Sequence, residues 1–437
     1  MTRPAKTNLT LAEAEATLKQ LVATPTKSAS TEWHTLPLAE TNGMILADDI
    51  TASIDVPAAH VAAVDGFAFN HSAATTANFR LKIAGTARAG HPLTTPPAPA
   101  TAIAITTGAV IPTISHAPDA APDTIAMAEA CQVSPDKKWV TLPPTIKPHS
   151  NFRSQGENIR QGDHALSRGH RLGAAEIGLA AALGLTTLPV MKPLTIGILS
   201  TGDELTHPDT RHINPPINPP INQSQIYDSN RPMLTALLSD DGHQVLDGGI
   251  APDTLAATQK KYSEILGDGD AHALITTGGS AGSPEDYAKQ AITKLGGSLD
   301  FWQLRIKPGR PFAFGRIGNK PVFCIPGNPV AVVVTYRLLV APALMRLAGG
   351  TPPLPLYLEA ISGVSLPHKP GRDDFVRATI SHTDADYPNK PVAHPHGRFG
   401  AGILTSVIGA DGLLHIPAQH GNLKRGDIVP FLPWRTP

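Results

Sequence analysis

Cysteine is scarce in this chain of 437 residues, which contains only Cys131 and Cys324. Two cysteines cannot form a disulfide framework, and their separation does not match a metal-binding motif. Long apolar segments are also missing: the longest run, Val330–Val334, is far too short to cross a bilayer. The N-terminal segment has no apolar core of the kind found in signal peptides. We therefore expect a soluble cytoplasmic protein that does not enter a membrane.

An excess of charge of either sign is absent as well, because 36 Lys and Arg residues balance 36 Asp and Glu residues. A neutral chain has no overall electrostatic attraction to nucleic acid or to an anionic membrane, and neither is expected as a partner. Aromatic residues make up only 5% of the chain, so aliphatic side chains must fill its cores. Proline is abundant, with 43 residues or about twice the usual fraction, which favours short elements and turns over long helices.

The order of predicted elements indicates several domains. From residue 194 to residue 347 short apolar strands alternate with helices, which predicts a doubly wound α/β domain with a mostly parallel sheet. Short strands separated by Pro and Gly predict a small β lobe before this domain and a β-barrel-like domain after it. The predicted fold class is therefore α/β and multidomain. The predicted bounds are 1–53 and 146–192 for an N-terminal and linker domain, 54–145 for the inserted β lobe, 193–348 for the α/β domain and 349–437 for the C-terminal β domain.

A proline-rich repeat, INPPINPPIN at 213–222, interrupts the α/β domain. Consecutive prolines favour an extended surface segment. Both a lengthened loop and a site for a proline-binding partner fit this composition. The repeat lacks basic residues beside a PxxP pattern, which favours the loop.

The segment Leu274–Asp286 contains a glycine-rich turn, TTGGSAGS, between an apolar strand and a helix predicted to begin at Pro284. Glycines and hydroxyls at a helix N-terminus can present several N–H groups to an anion. An ordinary turn between a strand and a helix also contains glycine, so the neighbouring residues must decide between the two interpretations. The substrate-binding candidates in this turn are Gly278, Gly279, Ser280, Gly282 and Ser283.

Polar residues follow the other predicted strands of the α/β domain, where ligands bind in open α/β sheets. Carboxylates beside phosphate suit Mg²⁺, whereas Lys and Arg bind oxyanions. The four carboxylates at this edge, Asp203, Glu204, Asp253 and Asp286, therefore predict a magnesium site. The predicted oxyanion-binding and substrate-binding residues are Lys307, Arg310, Pro326, Gly327 and Asn328. Each of these residues also has a simpler interpretation. Asp253 could cap its helix, and Asn328 could only precede one. Glu204 and Asp203 could form a solvated turn, and Lys307 and Arg310 could be surface charges.

These residues lie in a series of motifs that resembles the molybdopterin molybdenumtransferase family, known in bacteria as MoeA. Any one glycine turn is weak support, but the ordered series extends over nearly the whole chain. The matching segments are VDGFA (64–68), AGHPL (89–93), TTGAVIP (106–112), GENIRQGD (156–163), EIGLAAALG (176–184), LSTGDEL (199–205), QIYDSNR (225–231), GIAPD (249–253), FWQLRIKPGRPFAFG (301–315) and IPGNPV (325–330).

The resemblance implies an elongated subunit of four parts that works as a homodimer. It implies an enzyme that takes adenylylated molybdopterin and molybdate, inserts the metal at the dithiolene and releases AMP, with the assistance of Mg²⁺. Carried over by motif, the implied catalytic residues are Asp65, Thr107, Asp163 and Lys307. The implied metal ligands are Glu204, Asp253 and Asp286. The resemblance also implies that Asp65 reaches the site from the second subunit.

The chain departs from the family pattern at Ala281, Gln303, Arg310, Ala331 and Ala401. Ala331 and Ala401 replace serines, so two hydroxyls expected near molybdate are missing, each of which contributes about 0.5–1.5 kcal/mol as an ordinary hydrogen bond. Two functions are therefore open: an active insertase, or a catalytically weakened paralogue that binds molybdopterin as a carrier or scaffold. A nucleotide pyrophosphate hydrolase explains the β lobe and the C-terminal domain less well.

Overall fold

The computed structural model describes residues 5–22, 32–95, 97–113, 118–207, 224–279 and 287–434. The proline-rich repeat at 213–222 and the predicted helix start at Pro284 lie outside these ranges. The described sheets confirm the predicted mixed α/β, multidomain fold class.

The first elements of the chain are β1 (Lys6–Leu9), α1 (Leu11–Val22), β2 (Trp33–Pro37) and β3 (Ile50–Thr51). A capping box starts α1, because Thr10 and Glu13 each accept the backbone N–H of the other through their side chains. Leu9, Leu18 and Val22 are buried in the core of the α/β domain. The sequence assigned residues 1–53 to the N-terminal domain, but β1 and α1 pack on the α/β domain because their apolar face is buried there.

The β lobe contains β4 (Val61–Ala62), β5 (Gly66–Phe69), α2 (His71–Thr76), β6 (Arg80–Ala87), β7 (Thr101–Ile105), β8 (Thr124–Met127), β9 (Gln132–Val133) and β10 (Trp139–Thr141). Six of these strands form a sheet in the order β8-β5-β7-β6-β10-β9. Apolar clusters around Ile103 and around Phe69 cover its two faces. The lobe therefore has its own core.

The segment after the lobe contains β11 (Phe152–Arg153), β12 (His164–Leu166), α3 (Ala174–Ala182) and β13 (Thr187–Met191). The antiparallel pairs β2–β13 and β3–β12 join this segment to the chain that precedes the lobe. Leu46, Leu188 and Val190 form part of the shared core. The two segments thus make one unit into which the lobe is inserted.

The α/β domain contains β14 (Thr195–Thr201), β15 (Leu205–Thr206), β16 (Ile226–Tyr227), α4 (Asn230–Asp240), β17 (Gln244–Ala251), α5 (Leu255–Ser263), β18 (Ala273–Thr277), α6 (Tyr287–Lys294), β19 (Ser298–Leu304), β20 (Ile306–Lys307), β21 (Ala313–Ile317), β22 (Lys320–Ile325), α7 (Pro329–Thr335) and α8 (Ala341–Leu347). Its seven-stranded sheet has the order β1-β19-β21-β22-β18-β14-β17. Separate apolar clusters cover the two faces, and every residue of β18 is buried, as expected for a parallel strand between helical layers.

The strand β21 is the antiparallel member of a sheet that was predicted to be mostly parallel. It changes the direction of the chain within the sheet. It pairs antiparallel with both β22 and β19. Two reversals restore the original direction, so β19 runs parallel to β22, β18, β14 and β17. The C-terminal ends of these five strands therefore lie at one edge of the sheet.

A continuous helical segment from Pro329 to Leu347 joins α7 to α8 through a π-helical turn at Tyr336–Val340. Among the described residues this is the one helix that is long and apolar enough to cross a membrane. Most of it is buried inside the protein, where Val330, Leu339 and Leu344 contribute to the main core. Its apolar composition is therefore explained by packing.

The C-terminal domain contains β23 (Leu358–Ser362), β24 (Asp373–Ser381), β25 (Val392–Pro395), β26 (Gly412–Ile416) and β27 (Ile428–Pro433). The pairing of β24 with β26 closes these strands into a barrel, as predicted.

Three separate contacts attach the barrel to the α/β domain. The strand β20 pairs with β24, which places Lys307 beside Asp374. The N–H of Val330 donates to the carbonyl of Ala401 at 3.0 Å. The Arg337 guanidinium donates to the carbonyl of Trp434 at 2.8 Å.

Candidate functional site

Two turns meet at the centre of the sheet edge. The first follows β18, where Gly278 and Gly279 have φ values of 93° and 58°. A Cβ on Gly278 would lie 2.5 Å from the carbonyl oxygen of Thr201, so only glycine fits this close approach to β14. The second turn follows β22, and the Gly278 N–H donates to the carbonyl of Ile325 at 3.3 Å. Ser280, Gly282, Ser283 and Asp286 lie outside the described residues, as does Ala281.

Asn230 connects these two turns from the start of α4. Its side-chain amide donates to Oγ1 of Thr277 at 2.8 Å and to the carbonyl of Gly327 at 2.7 Å. The residue is only 8% exposed. Within the described ranges, neither its buried Oδ1 atom nor the buried Oγ1 of Thr201 has a hydrogen-bond partner. The predicted sites omitted Asn230, although the QIYDSNR motif contains it.

A buried ion pair holds the first turn of α4. The Asp228 carboxylate accepts the backbone N–H groups of Asn230 and Arg231 and lies 3.0 Å from the Arg231 guanidinium. Arg231 also contacts Asp247 at 2.6 Å and the ring of His207. Burial alone would raise the pKa of Asp247, but the hydrogen bonds from Arg231 and from the Gly249 N–H lower it. The position of Asn230 is therefore fixed by a charged network behind it.

The predicted carboxylates form an acidic end of the edge, which we define as Asp203, Glu204 and Asp253, beyond β14 and β17. The Asp253 N–H donates to Oδ1 of Asp203 at 3.1 Å, and the Asp203 N–H reaches Oδ2 of Asp253 at 3.4 Å. Asp203 and Glu204 are exposed. The alternative that Asp253 caps its helix is wrong, because Thr254 caps α5 by accepting the N–H of Ala257.

The opposite end of the edge opens into a cleft of about 790 Å³ between the α/β domain and the barrel. We call it the cationic cleft. The predicted residues that line it are Lys307, Arg310, Pro326 and Asn328. The barrel adds Lys369, Arg372 and Arg377, which the sequence-based predictions missed. Glu204, Asp253, Gly278, Gly279 and Gly327 do not line this cleft.

Lys307 presents its ammonium group to the cleft. Its side chain is 62% exposed, and Nζ lies 3.8 Å from Oδ2 of Asp374. Asp374 is nearly buried and accepts a hydrogen bond from Nε of Arg372 at 2.8 Å. One carboxylate thus orients two cations, and an excess of positive charge remains for an anionic ligand.

The molybdopterin molybdenumtransferase of Haemophilus influenzae is 31% identical to this chain over 427 residues, which cover 98% of each protein. The chain belongs to the MoeA family. Molybdopterin molybdenumtransferase 2 of Mycobacterium tuberculosis is 32% identical over 399 residues, or 88% of this chain and 90% of the relative. The molybdopterin biosynthesis moeA protein of Pyrococcus horikoshii shares the fold, with a TM-score of 0.75 and 24% identity over 98% of this chain and 100% of the other.

Family models match three parts of the chain. The MoeA N-terminal region, described as domain I and II, matches residues 9–184. A probable molybdopterin binding domain matches residues 197–346, and the MoeA C-terminal region, described as domain IV, matches residues 359–434. The MoeA resemblance expected from the motifs is confirmed.

Three departures from the MoeA pattern, Arg310, Ala331 and Ala401, lie in the cationic cleft, and the last two replace serines. Ala331 lies in the first turn of α7, and Ala401 accepts the N–H of Val330 through its carbonyl. Both residues line the cleft, so their lost hydroxyls belong to its wall. Gln303 lies in β19 with φ of 68°, and its N–H donates to the carbonyl of Phe312.

The remaining catalytic candidates lie outside the cleft. In the β lobe, Oδ1 of Asp65 accepts the backbone N–H and the hydroxyl of Thr107, each at 2.7 Å. These hydrogen bonds lower the pKa of Asp65. In the linker, Asp163 accepts the N–H of Arg160 at 3.0 Å. None of the three lines the cleft of its own chain, so their catalytic roles stay predictions.

Proposed function

We propose that this protein is a molybdopterin molybdenumtransferase of molybdenum cofactor biosynthesis. It inserts molybdate into adenylylated molybdopterin and releases AMP and the molybdenum cofactor. The observation that carries the proposal is the cationic cleft, which gathers the motif residues Lys307, Arg310, Pro326 and Asn328 in a chain of MoeA family membership.

The cleft supplies the electrostatics that this transfer needs. Molybdate and the phosphoanhydride are both anionic, and cleavage of the phosphoanhydride leaves negative charge on the departing AMP. Lys307 acts as a point charge, whereas Arg310 can bind an oxyanion with two parallel N–H groups. Fixed cations stabilise charge that develops in the transition state without reorganisation of solvent.

Mg²⁺ is the cofactor in this proposal, with one or two carboxylates of the acidic end as its protein ligands. No group of three acidic side chains, histidines or cysteines is placed to hold a metal ion within the described residues, so substrate must complete the site. Asp203 and Glu204 offer exposed carboxylates, and the mutual N–H contacts of Asp203 and Asp253 hold that pair in place. Mg²⁺ binds through one or two carboxylates together with phosphate oxygens, which matches a site completed by substrate. When bound, the ion supplies neutralisation of phosphate charge. Asp286, the third predicted ligand, lies outside the described residues.

A homodimer in the cytoplasm completes the proposal. Asp65 and Thr107 hold each other in an exposed turn of the β lobe. A second copy of the chain brings this pair to the cleft of the first. The weakened carrier has no comparable support, since the full-length relatives are named as transferases.

The test is AMP release from adenylylated molybdopterin with Mg²⁺ and molybdate. The wild-type protein should turn over, and Lys307→Ala should lower the rate about 10²- to 10³-fold, as for loss of one transition-state donor. Lys260→Ala is the matched control, because this exposed lysine lies on α5 and does not line the cleft. The proposal fails if wild-type protein releases no more AMP than Lys307→Ala.

A further inference from the structure

Phe399 is a large aromatic residue that lies exposed at the wall of the cationic cleft. It is 61% exposed, although aromatic residues are few in this chain. It lines the cleft together with Gly400 and Ala401 of the same loop. An exposed aromatic side chain inside a concave site, unlike a scattered surface residue, is typical of ligand recognition.

The backbone on both sides of Phe399 is held in place. The Arg377 guanidinium donates to the carbonyls of Arg398 and Gly400, each at 3.3 Å. Arg377 is only 5% exposed, and its Nε donates to Oγ of Ser406 at 3.0 Å. Burial lowers the pKa of Arg377. A buried cation is costly unless its donors are used, so these contacts anchor the backbone of the loop that carries Phe399.

The wall of the cleft that contains Phe399 combines apolar surface with positive charge. Leu366, Pro367 and Pro370 contribute apolar lining, and Lys369 and Arg372 contribute cations from the same stretch of chain. This combination suits a planar ring that carries phosphate. An aromatic side chain can stack on such a ring, and the cations can bind its phosphate.

We propose that Phe399 stacks against the planar heteroaromatic ring of the phosphorylated substrate. The inference rests on the proposed function, in which the substrate carries two such rings, adenine and pterin. The shared chemistry is a flat heteroaromatic ring next to an anionic group. Phe399 is thus a substrate-binding residue of the cleft.

The test is calorimetric binding to the full-length protein with three probes: AMP, adenylylated molybdopterin and inorganic phosphate. Phe399→Ala should weaken binding of a ring-bearing probe by about 5- to 140-fold, the equivalent of one base stacked on an aromatic residue. Phe399→Trp should retain binding, and phosphate binding should be unchanged in both variants. Weaker AMP binding identifies adenine as the stacked ring, whereas an effect confined to adenylylated molybdopterin identifies the pterin.

Ile408→Ala is the matched control. Ile408 is 70% exposed in the same stretch of the barrel but does not line the cleft, so its removal should leave all three affinities unchanged. The inference is overturned if Phe399→Ala binds both ring-bearing probes as wild-type protein does, or if wild-type protein binds neither. Failure of the proposed function is a separate result, namely absence of AMP release above that of Lys307→Ala.

Discussion

The acidic end and the cationic cleft lie along one sheet edge but differ in charge and in construction. The acidic end is built by two neighbouring strands of a single domain, β14 and β17. The cationic cleft is shared by two domains, because β20 leaves the α/β sheet and pairs with β24 of the barrel. Because the two regions are separate, their carboxylates and cations do not neutralise one another. In the proposed function, one substrate then meets Mg²⁺ at one end and an oxyanion-binding surface at the other.

The largest expected effect compares a buried cation of the network that holds Asn230 with an exposed cation of the cleft. In the first turn of α4, Arg231 and its partner Asp228 have side chains only 3% and 1% exposed. Arg231→Leu should lower the free energy of unfolding by about 3–5 kcal/mol, because it leaves a buried carboxylate without its partner. Lys307→Leu in the cleft removes the same charge from a side chain that is 62% exposed. This substitution should lower the free energy of unfolding, measured by urea denaturation, by less than about 1 kcal/mol. Equal losses of unfolding free energy in the two variants would contradict this difference between a buried and an exposed cation.

The next prediction separates metal binding from oxyanion binding. Glu204→Gln should raise the Mg²⁺ concentration for half-maximal AMP release by about 10- to 100-fold, through loss of a carboxylate at the metal. The molybdate concentration for half-maximal rate should not change, because Glu204 does not line the cleft. Asp270→Asn, at a side chain 93% exposed, is the control. A shift in both the Mg²⁺ and the molybdate concentrations would indicate that the two ends form one site and would contradict this prediction.

A smaller effect concerns the wall of the cleft. Ala331→Ser with Ala401→Ser restores two hydroxyls and should tighten molybdate binding by about 2- to 12-fold for each hydrogen bond formed. Calorimetry with molybdate alone measures the change. Ala410→Ser provides the control, since Ala410 does not line the cleft. Unchanged affinity would show that the absent hydroxyls do not weaken this site.

The smallest expected effect lies outside both ends, at Asp65. The Thr107 N–H and hydroxyl lower the pKa of Asp65. The Asp65 side chain is therefore ionised above this lowered pKa and becomes protonated only when the pH falls below it. Thr107→Val keeps the N–H but removes the hydroxyl, so the pKa of Asp65 should rise toward the ordinary aspartate value.

A carbon NMR titration of the Asp65 carboxyl measures this shift. Thr107→Ser should keep the pKa low, and Thr106→Val should leave it unchanged, because the Thr106 hydroxyl accepts the N–H of Ala89 instead. A value insensitive to Thr107→Val would assign the whole shift to the backbone N–H.

The two ends also differ in how far the sequence predicts them. Glu204 and Asp253 follow parallel strands, and the topology of a parallel sheet brings such positions together whatever the loops do. The residues Lys369, Arg372 and Arg377 could not be placed in the same way. They reach the cleft because the barrel packs on the α/β domain. In one of its attachments β20 pairs with β24, which joins Lys307 to Asp374 far along the chain and leaves no local signal.

Local chemistry also explains smaller differences. The start of α7 at Pro329 was predicted correctly, because proline at a first helical position is a local preference. Thr254, rather than Asp253, caps α5, since both residues have capping side chains and only the backbone conformation decides between them. Asn230 joins two turns that are far apart in sequence, so its role is visible only in the fold.

The three attachments of the barrel have a mechanical consequence. These attachments act together with a shared apolar core, because Phe375 and Leu413 of the barrel are buried in the same cluster as the α/β domain. The β20–β24 pairing, the Val330–Ala401 hydrogen bond and the Arg337–Trp434 hydrogen bond therefore set the width of the cleft before any ligand arrives. Little of a ligand's binding free energy is then needed to bring the domains together. More of it is available to position the reacting groups.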